Sequence, residues 1–108
     1  MTIKLPKPIG DYFSIDRARS GDITRCFAEN AIVKDESLTY QGLAAIKQWK
    51  MDSSKKYNYT SEPFSFEEKA GKSIVTSKLT GNFPGSPVNL NYIFSLEDGK
   101  ITTLEITI

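Results

Sequence analysis

The chain has 108 residues, with fourteen basic and thirteen acidic side chains and a net charge of +1, which makes one domain and gives no cationic footprint for nucleic acid. Hydrophobic residues make up 39%, enough for a core without disulfide or metal support. Histidine is absent and Cys26 is the single cysteine, which excludes intrachain disulfides, His/Cys zinc sites and histidine-based nucleophile systems and leaves acid–base work to carboxylates, tyrosines and lysines. No apolar stretch has the pattern of a signal peptide or the length of a membrane span. The expectation is a cytoplasmic protein with no membrane partner, and its near-zero charge offers little repulsion against self-association.

Pro8 suits the first turn of a helix, where its missing donor costs nothing. Ile9, Tyr12 and Phe13 recur at helical spacing, and Asp16 continues that face. Ser20-Gly21-Asp22 breaks this helix and caps a short second one carrying Ile23, Cys26 and Phe27. Residues 31–34 read as a short strand, Asp35-Glu36-Ser37 as a turn and 38–41 as a second short strand. Gly42 opens a third helix, with Leu43, Ile46 and Trp49 inward, ending around residues 51–54.

From Lys55 the period changes from helical to alternating. Tyr57, Tyr59 and Ser61 share a strand face. Pro63 marks a bulge or a sheet edge, after which Phe64 and Phe66 resume in shifted phase. Val75, Ser77, Leu79 and Phe83 alternate along the next strand. Val88, Leu90, Tyr92, Phe94 and Leu96 follow, then Leu104, Ile106 and Ile108. Turns fall at 69–72, 84–87 and 97–100. Three N-terminal helices around a small β pair, followed by four long antiparallel strands, predict an α+β architecture.

Three stretches carry a family resemblance: Phe27-Ala28-Glu29-Asn30-Ala31-Ile32-Val33-Lys34-Asp35, the Tyr40-Gln41-Gly42 start of the third helix, and Phe94-Ser95-Leu96-Glu97-Asp98-Gly99-Lys100-Ile101. In this order they resemble the NTF2-like superfamily, which includes the SnoaL-like polyketide cyclases and the ketosteroid isomerases. The resemblance runs from about Ile9 to the end. It implies a cone: a curved, mainly antiparallel sheet with the helices on its concave face and a pocket between them. It also implies a homodimer through the outer sheet face, with Ile74, Thr76, Thr80, Asn89, Ile93 and Thr103 as contacts. It does not fix a reaction.

Asp35 aligns with the isomerase base, a carboxylate at the pocket mouth beside an acidic C–H. The plain alternative is a turn aspartate capping local backbone. The isomerase motif continues with proline, where this chain has Glu36. Counting back from Gly99-Lys100 sets Asn91 against the isomerase's oxyanion-hole acid, and its amide could donate to an enolate. That count needs a one-residue bulge. Without it Tyr92 faces the pocket, and the more apolar face of Leu90, Tyr92, Phe94 and Leu96 favours this.

Tyr12 lies on the first helix, as the isomerase tyrosine does, but aligning the Ser20-Gly21-Asp22 break sets Ser14 at that position, so Tyr12 reads as a pocket-lining or core aromatic whose phenol could still donate inward. Phe27, Tyr40, Trp49, Phe64, Phe66, Phe83 and Phe94 are candidates to line or floor the cavity, though such aromatics also make ordinary core. Cys26 reads as a buried small hydrophobe. The histidines of the dehydratase branch are missing, and Asp16-Arg17 is a poor match to the Asp-Arg-Asp set of the epoxide hydrolases. The resulting expectation is a hydrophobic or aromatic small-molecule ligand and no cofactor. The chemistry would be proton transfer next to a carbonyl, or else the chain is a non-catalytic binding or interaction module.

Overall fold

A computed structural model describes residues 4–18, 21–56 and 58–108. Helix α1 (Lys7–Ala18) is followed by a 3-10 turn at Ile23–Cys26, strands β1 (Phe27–Asp35) and β2 (Leu38–Gln41), and helix α2 (Leu43–Lys56). Strands β3 (Tyr59–Lys69), β4 (Lys72–Gly81), β5 (Val88–Glu97) and β6 (Lys100–Thr107) complete the chain. All six strands join one curved, open sheet in the order β2-β1-β6-β5-β4-β3. Among the described residues, β1 and β6 are the one parallel pair.

Among the described residues, two α-helices form where three were expected. The segment after Asp22 manages one 3-10 turn, capped by the Asp22 carboxylate, which accepts from the Thr24 amide at 3.0 Å. It stops at Phe27, whose backbone is already extended at φ −108° and ψ 148°. The reason lies in the sheet. Phe27 pairs with Ile101 of β6, and a register shift separates it from the next pair, Ile32 with Thr103. Strand β1 therefore begins four residues before the expected Ala31. Its exposed Glu29 and Asn30 lie in the irregular part, which disguises it as a loop. The β pair is thus no separate unit but one edge of the sheet.

At the other edge, β3 shifts register between Pro63 and Ser65. Both readings of Pro63 hold, since proline tolerates an edge strand and a bulge together. Tyr57, expected to share a face with Tyr59 and Ser61, lies outside the described residues.

The core fills the space between helices and sheet. Tyr12 and Phe13 of α1 meet Tyr92 and Phe94 of β5 at centroid distances of 5.0 to 6.2 Å, mostly edge-to-face, a favoured aromatic geometry. Ile46 of α2, Val33 of β1, Val75 of β4 and Ile101 and Leu104 of β6 close around them and are fully buried.

Candidate functional site

Strand alternation carries Ala31, Val33 and Asp35 to the helix-facing side of β1, and Asp35 is its last residue. Helical spacing puts Ile46 and Trp49 on the buried stripe of α2. The two elements meet at a hydrogen bond: the Trp49 indole Nε1 donates to Asp35 Oδ2 at 3.0 Å. Tyr40 of β2 packs on the far side of the indole, 6.1 Å between centroids. A carboxylate accepting from a packed indole is held more firmly than a turn aspartate in water, because a charged acceptor strengthens the bond.

Asp35 and Trp49 form part of the wall of a cavity of about 590 Å³, together with Tyr12, Lys50, Tyr59, Leu79, Phe83, Val88, Leu90, Tyr92 and Ile106. That size and mostly apolar lining are typical of small-molecule pockets. Three tyrosines, Tyr12, Tyr59 and Tyr92, line it. Burial pushes the Tyr12 phenol well above its usual range, and the Asp16 charge adds to this. Burial does the same to Tyr92, with Asp16 again adding, while a hydrogen bond with Ser61 works in the opposite direction. The Tyr12 and Tyr92 phenols therefore stay protonated at neutral pH and can act as donors.

A second cluster stands against the same wall. Asp16 of α1 forms an ion pair with Lys50 of α2, and their side chains are only 4% and 13% exposed. The Tyr59 hydroxyl donates to Asp16 Oδ1 at 2.6 Å and accepts from Lys50 Nζ at 3.1 Å. The Lys50 ammonium also lies 5.4 Å from the ring centroids of Tyr12 and Trp49 and 5.9 Å from that of Tyr59. The pair also borders a smaller cavity of about 320 Å³, with Asp22, Ile23, Lys47 and Met51. Among the described residues, no group of three or more Cys, Asp or Glu side chains is placed to hold a metal ion.

No family model and no curated protein matches the chain. Solved structures do. A candidate polyketide cyclase from Sinorhizobium meliloti superposes with a TM-score of 0.91 at 38% identity over 95% of each chain. The chain belongs to the NTF2-like superfamily, as a SnoaL-like domain. Two more distant structures share the fold alone. One is a protein with a ketosteroid isomerase-like fold from Catenulispora acidiphila, in complex with trimethylamine. It has a TM-score of 0.80 at 13% identity, covering 97% of this chain and 87% of its own. The other is an NTF2-like protein from Cytophaga hutchinsonii, with a TM-score of 0.73 at 14% identity, covering 99% and 91%.

The SnoaL-like domain places the other expected site residues unevenly. Tyr92 faces the cavity, and Asn91 sits on the opposite side of β5, where its side-chain oxygen accepts from Thr76 Oγ1 at 3.0 Å. No bulge falls at Asn91: it pairs in regular register with Thr76 and Thr107. Phe83 borders the cavity. Phe27 and Phe94 do not, being sealed in the core, and Tyr40 serves as backing for Trp49. Phe66 packs on the core from β3. Phe64 falls in the register shift and is 52% exposed, so it floors nothing.

The domain also explains its departure from the isomerase motif. Glu36 and Ser37 join β1 to β2 with φ of 52° and 67°. Proline is locked near −65° and could not take that turn.

Sequence reasoning missed Lys50 and Tyr59 as cavity residues and read Asp16 as part of a helix face and, with Arg17, as a poor match to the epoxide hydrolase set. A signal was present. Asp16 lies one helical turn after Tyr12 on the apolar side of α1. Lys50 lies one turn after Ile46 on the apolar side of α2. A charge on a buried stripe calls for a partner.

Proposed function

We propose that this SnoaL-like domain binds a hydrophobic or aromatic carbonyl compound in the larger cavity and moves a proton next to that carbonyl, without a cofactor. Asp35 is the base. The supporting observation is its position: a carboxylate tied by Trp49 into the wall of an aromatic cavity that two protonated phenols also face. The likeness to a candidate polyketide cyclase favours substrates with several carbonyls.

In the reaction, Asp35 takes the proton from the carbon beside the carbonyl. The C–H pair becomes a C=C bond, and the carbonyl π pair moves to oxygen, giving an enolate. Tyr92 and Tyr12 are the phenolic donors to that oxygen. The enolate then either recovers the proton from Asp35 at another carbon or attacks a second carbonyl carbon to close a ring, that carbonyl's π pair moving to its oxygen, which takes the proton back from Asp35.

The test is proton exchange. Polycyclic ketones incubated with the domain in deuterated water should gain deuterium beside the carbonyl. Asp35→Asn should keep the fold and slow that exchange by roughly 10²–10⁴-fold, as general-base loss does. Exchange at the same rate in Asp35→Asn would refute the role. The competing reading, a ligand-binding module, draws on the same bond: Trp49 already occupies one oxygen of Asp35. In that case the variant binds as before and neither form exchanges.

A further inference from the structure

We propose that Lys50 is the oxyanion-holding group of the cavity, and that the ligand is an aromatic compound presenting an acidic hydroxyl or an enolisable carbonyl to it. This deepens the reading above, since it names the group that meets the oxygen, and it rests on the same cavity.

Lys50 projects from α2 beside Trp49 and borders the cavity with Asp35. An ammonium has three donors. Asp16 and Tyr59 each engage one, which leaves a third for a ligand. The Tyr59 hydroxyl also bonds Asp16, so the three groups close a triangle that fixes the ammonium's position. Asp16 and Tyr59 are positioning residues. The ring faces of Tyr12, Trp49 and Tyr59 around Nζ support a cation withdrawn from water.

A charged donor adds Coulomb attraction to the hydrogen bond it makes with an oxyanion, which a phenol cannot. The neutral donors on the same wall, Tyr12 and Tyr92, can share the oxygen with it but bring no charge. The other charges facing the cavity are Asp35 at the end of β1, Glu36 in the following turn, and Lys56 at the end of α2. Of the two cavity lysines, Lys56 is exposed and Lys50 is not. The buried charge acts in the lower dielectric, so it has the larger effect on a ligand atom. In the proton transfer, Lys50 keeps its proton throughout. It hydrogen-bonds the oxygen that receives the electron pair, while the abstracted proton resides on Asp35.

The probe is 2-naphthol, whose anion absorbs to the red of every protein chromophore, so its ionisation can be titrated while bound. Bound to the unmodified domain, it should ionise about one pKa unit below its value in water, tenfold in ionisation constant. Lys50→Arg should keep most of that shift. Lys50→Met should abolish it. Because that variant strands the buried Asp16 charge and can unfold the chain, Asp16→Asn/Lys50→Met provides a neutral pair, and it too should bind naphthol without the shift.

Persistence of the shift in the double variant overturns the proposal and assigns the cation elsewhere, with Lys56→Met as the check. Absence of a shift in the unmodified domain overturns it as well. In Asp35→Asn the shift should persist or grow, because a nearby negative charge is gone. Unchanged proton exchange in that variant would therefore refute Asp35 as the base while leaving Lys50 in place. Naphthol failing to bind at all overturns both readings.

Discussion

At the scale of single residues, the Trp49–Asp35 bond has two consequences that can be separated. It holds the carboxylate at the cavity wall, and it satisfies a mostly buried indole N–H. Trp49→Phe removes the donor and part of the packing. It should lower stability by about 1–3 kcal/mol, read as a reduced urea midpoint with an unchanged slope. The phenols supply a second handle. Tyr12 and Tyr92 both have raised pKa values in the folded chain, burial being the larger cause in each. A raised folded-state pKa means that the unfolded chain loses its proton first. Stability is therefore fully present below the ordinary phenol value of about 10 and falls as pH rises above it. Tyr92→Phe should flatten that alkaline decline relative to the parent, as measured by denaturation midpoints from pH 9 to 11.

At the scale of elements, the turn between β1 and β2 decides where Asp35 stands. Asp35 pairs with Leu38 on the last rung of the ladder, and Glu36 and Ser37 cross between them in the left-handed region. A non-glycine residue there costs about 1–2 kcal/mol. Glu36→Gly should therefore raise the unfolding free energy by up to about 1 kcal/mol, less what glycine gains in the unfolded chain. Glu36→Pro, which restores the isomerase motif's residue, should lower it by more than about 1 kcal/mol because proline cannot adopt the angle. Urea unfolding of the two variants checks both signs.

The same scale shows what could be read from the residues. The run Leu90, Tyr92, Phe94 was legible because β5 is regular and one face is buried, and that alternation put Tyr92 in the cavity. Phe64 and β1 were not, because each sits at a register shift, where period-2 reasoning fails. Asp35 and Trp49 were legible through a local motif. The Asp16–Lys50–Tyr59 triangle was not, because it joins α1, α2 and β3, and isolated charges read as solvated until the helices are packed together.

At the scale of the whole molecule, the helices cover one side of the sheet, and none of the described residues forms a helix on the other. On the uncovered side Ile74 pairs with Ile93 and Thr76 with Asn91. This face carries more Ile, Thr and Asn than charge, which fits a second copy of the chain. Sedimentation at micromolar concentration should show a dimer, and Ile93→Lys should shift it to monomer without emptying the cavity. A monomer throughout would contradict this.

The strand order has a further consequence, in time rather than space. Strand β6 is the last in the chain, yet it lies inside the sheet, parallel to β1 and between it and β5. Until it inserts, the sheet is two separate pieces. One holds β1 and β2 with Asp35, and the other holds β5, β4 and β3 with Tyr92. Joining them closes a very long loop, which is slow. A pocket walled by both the Asp35 carboxylate and the Tyr92 phenol therefore exists only where β6 is paired on both sides.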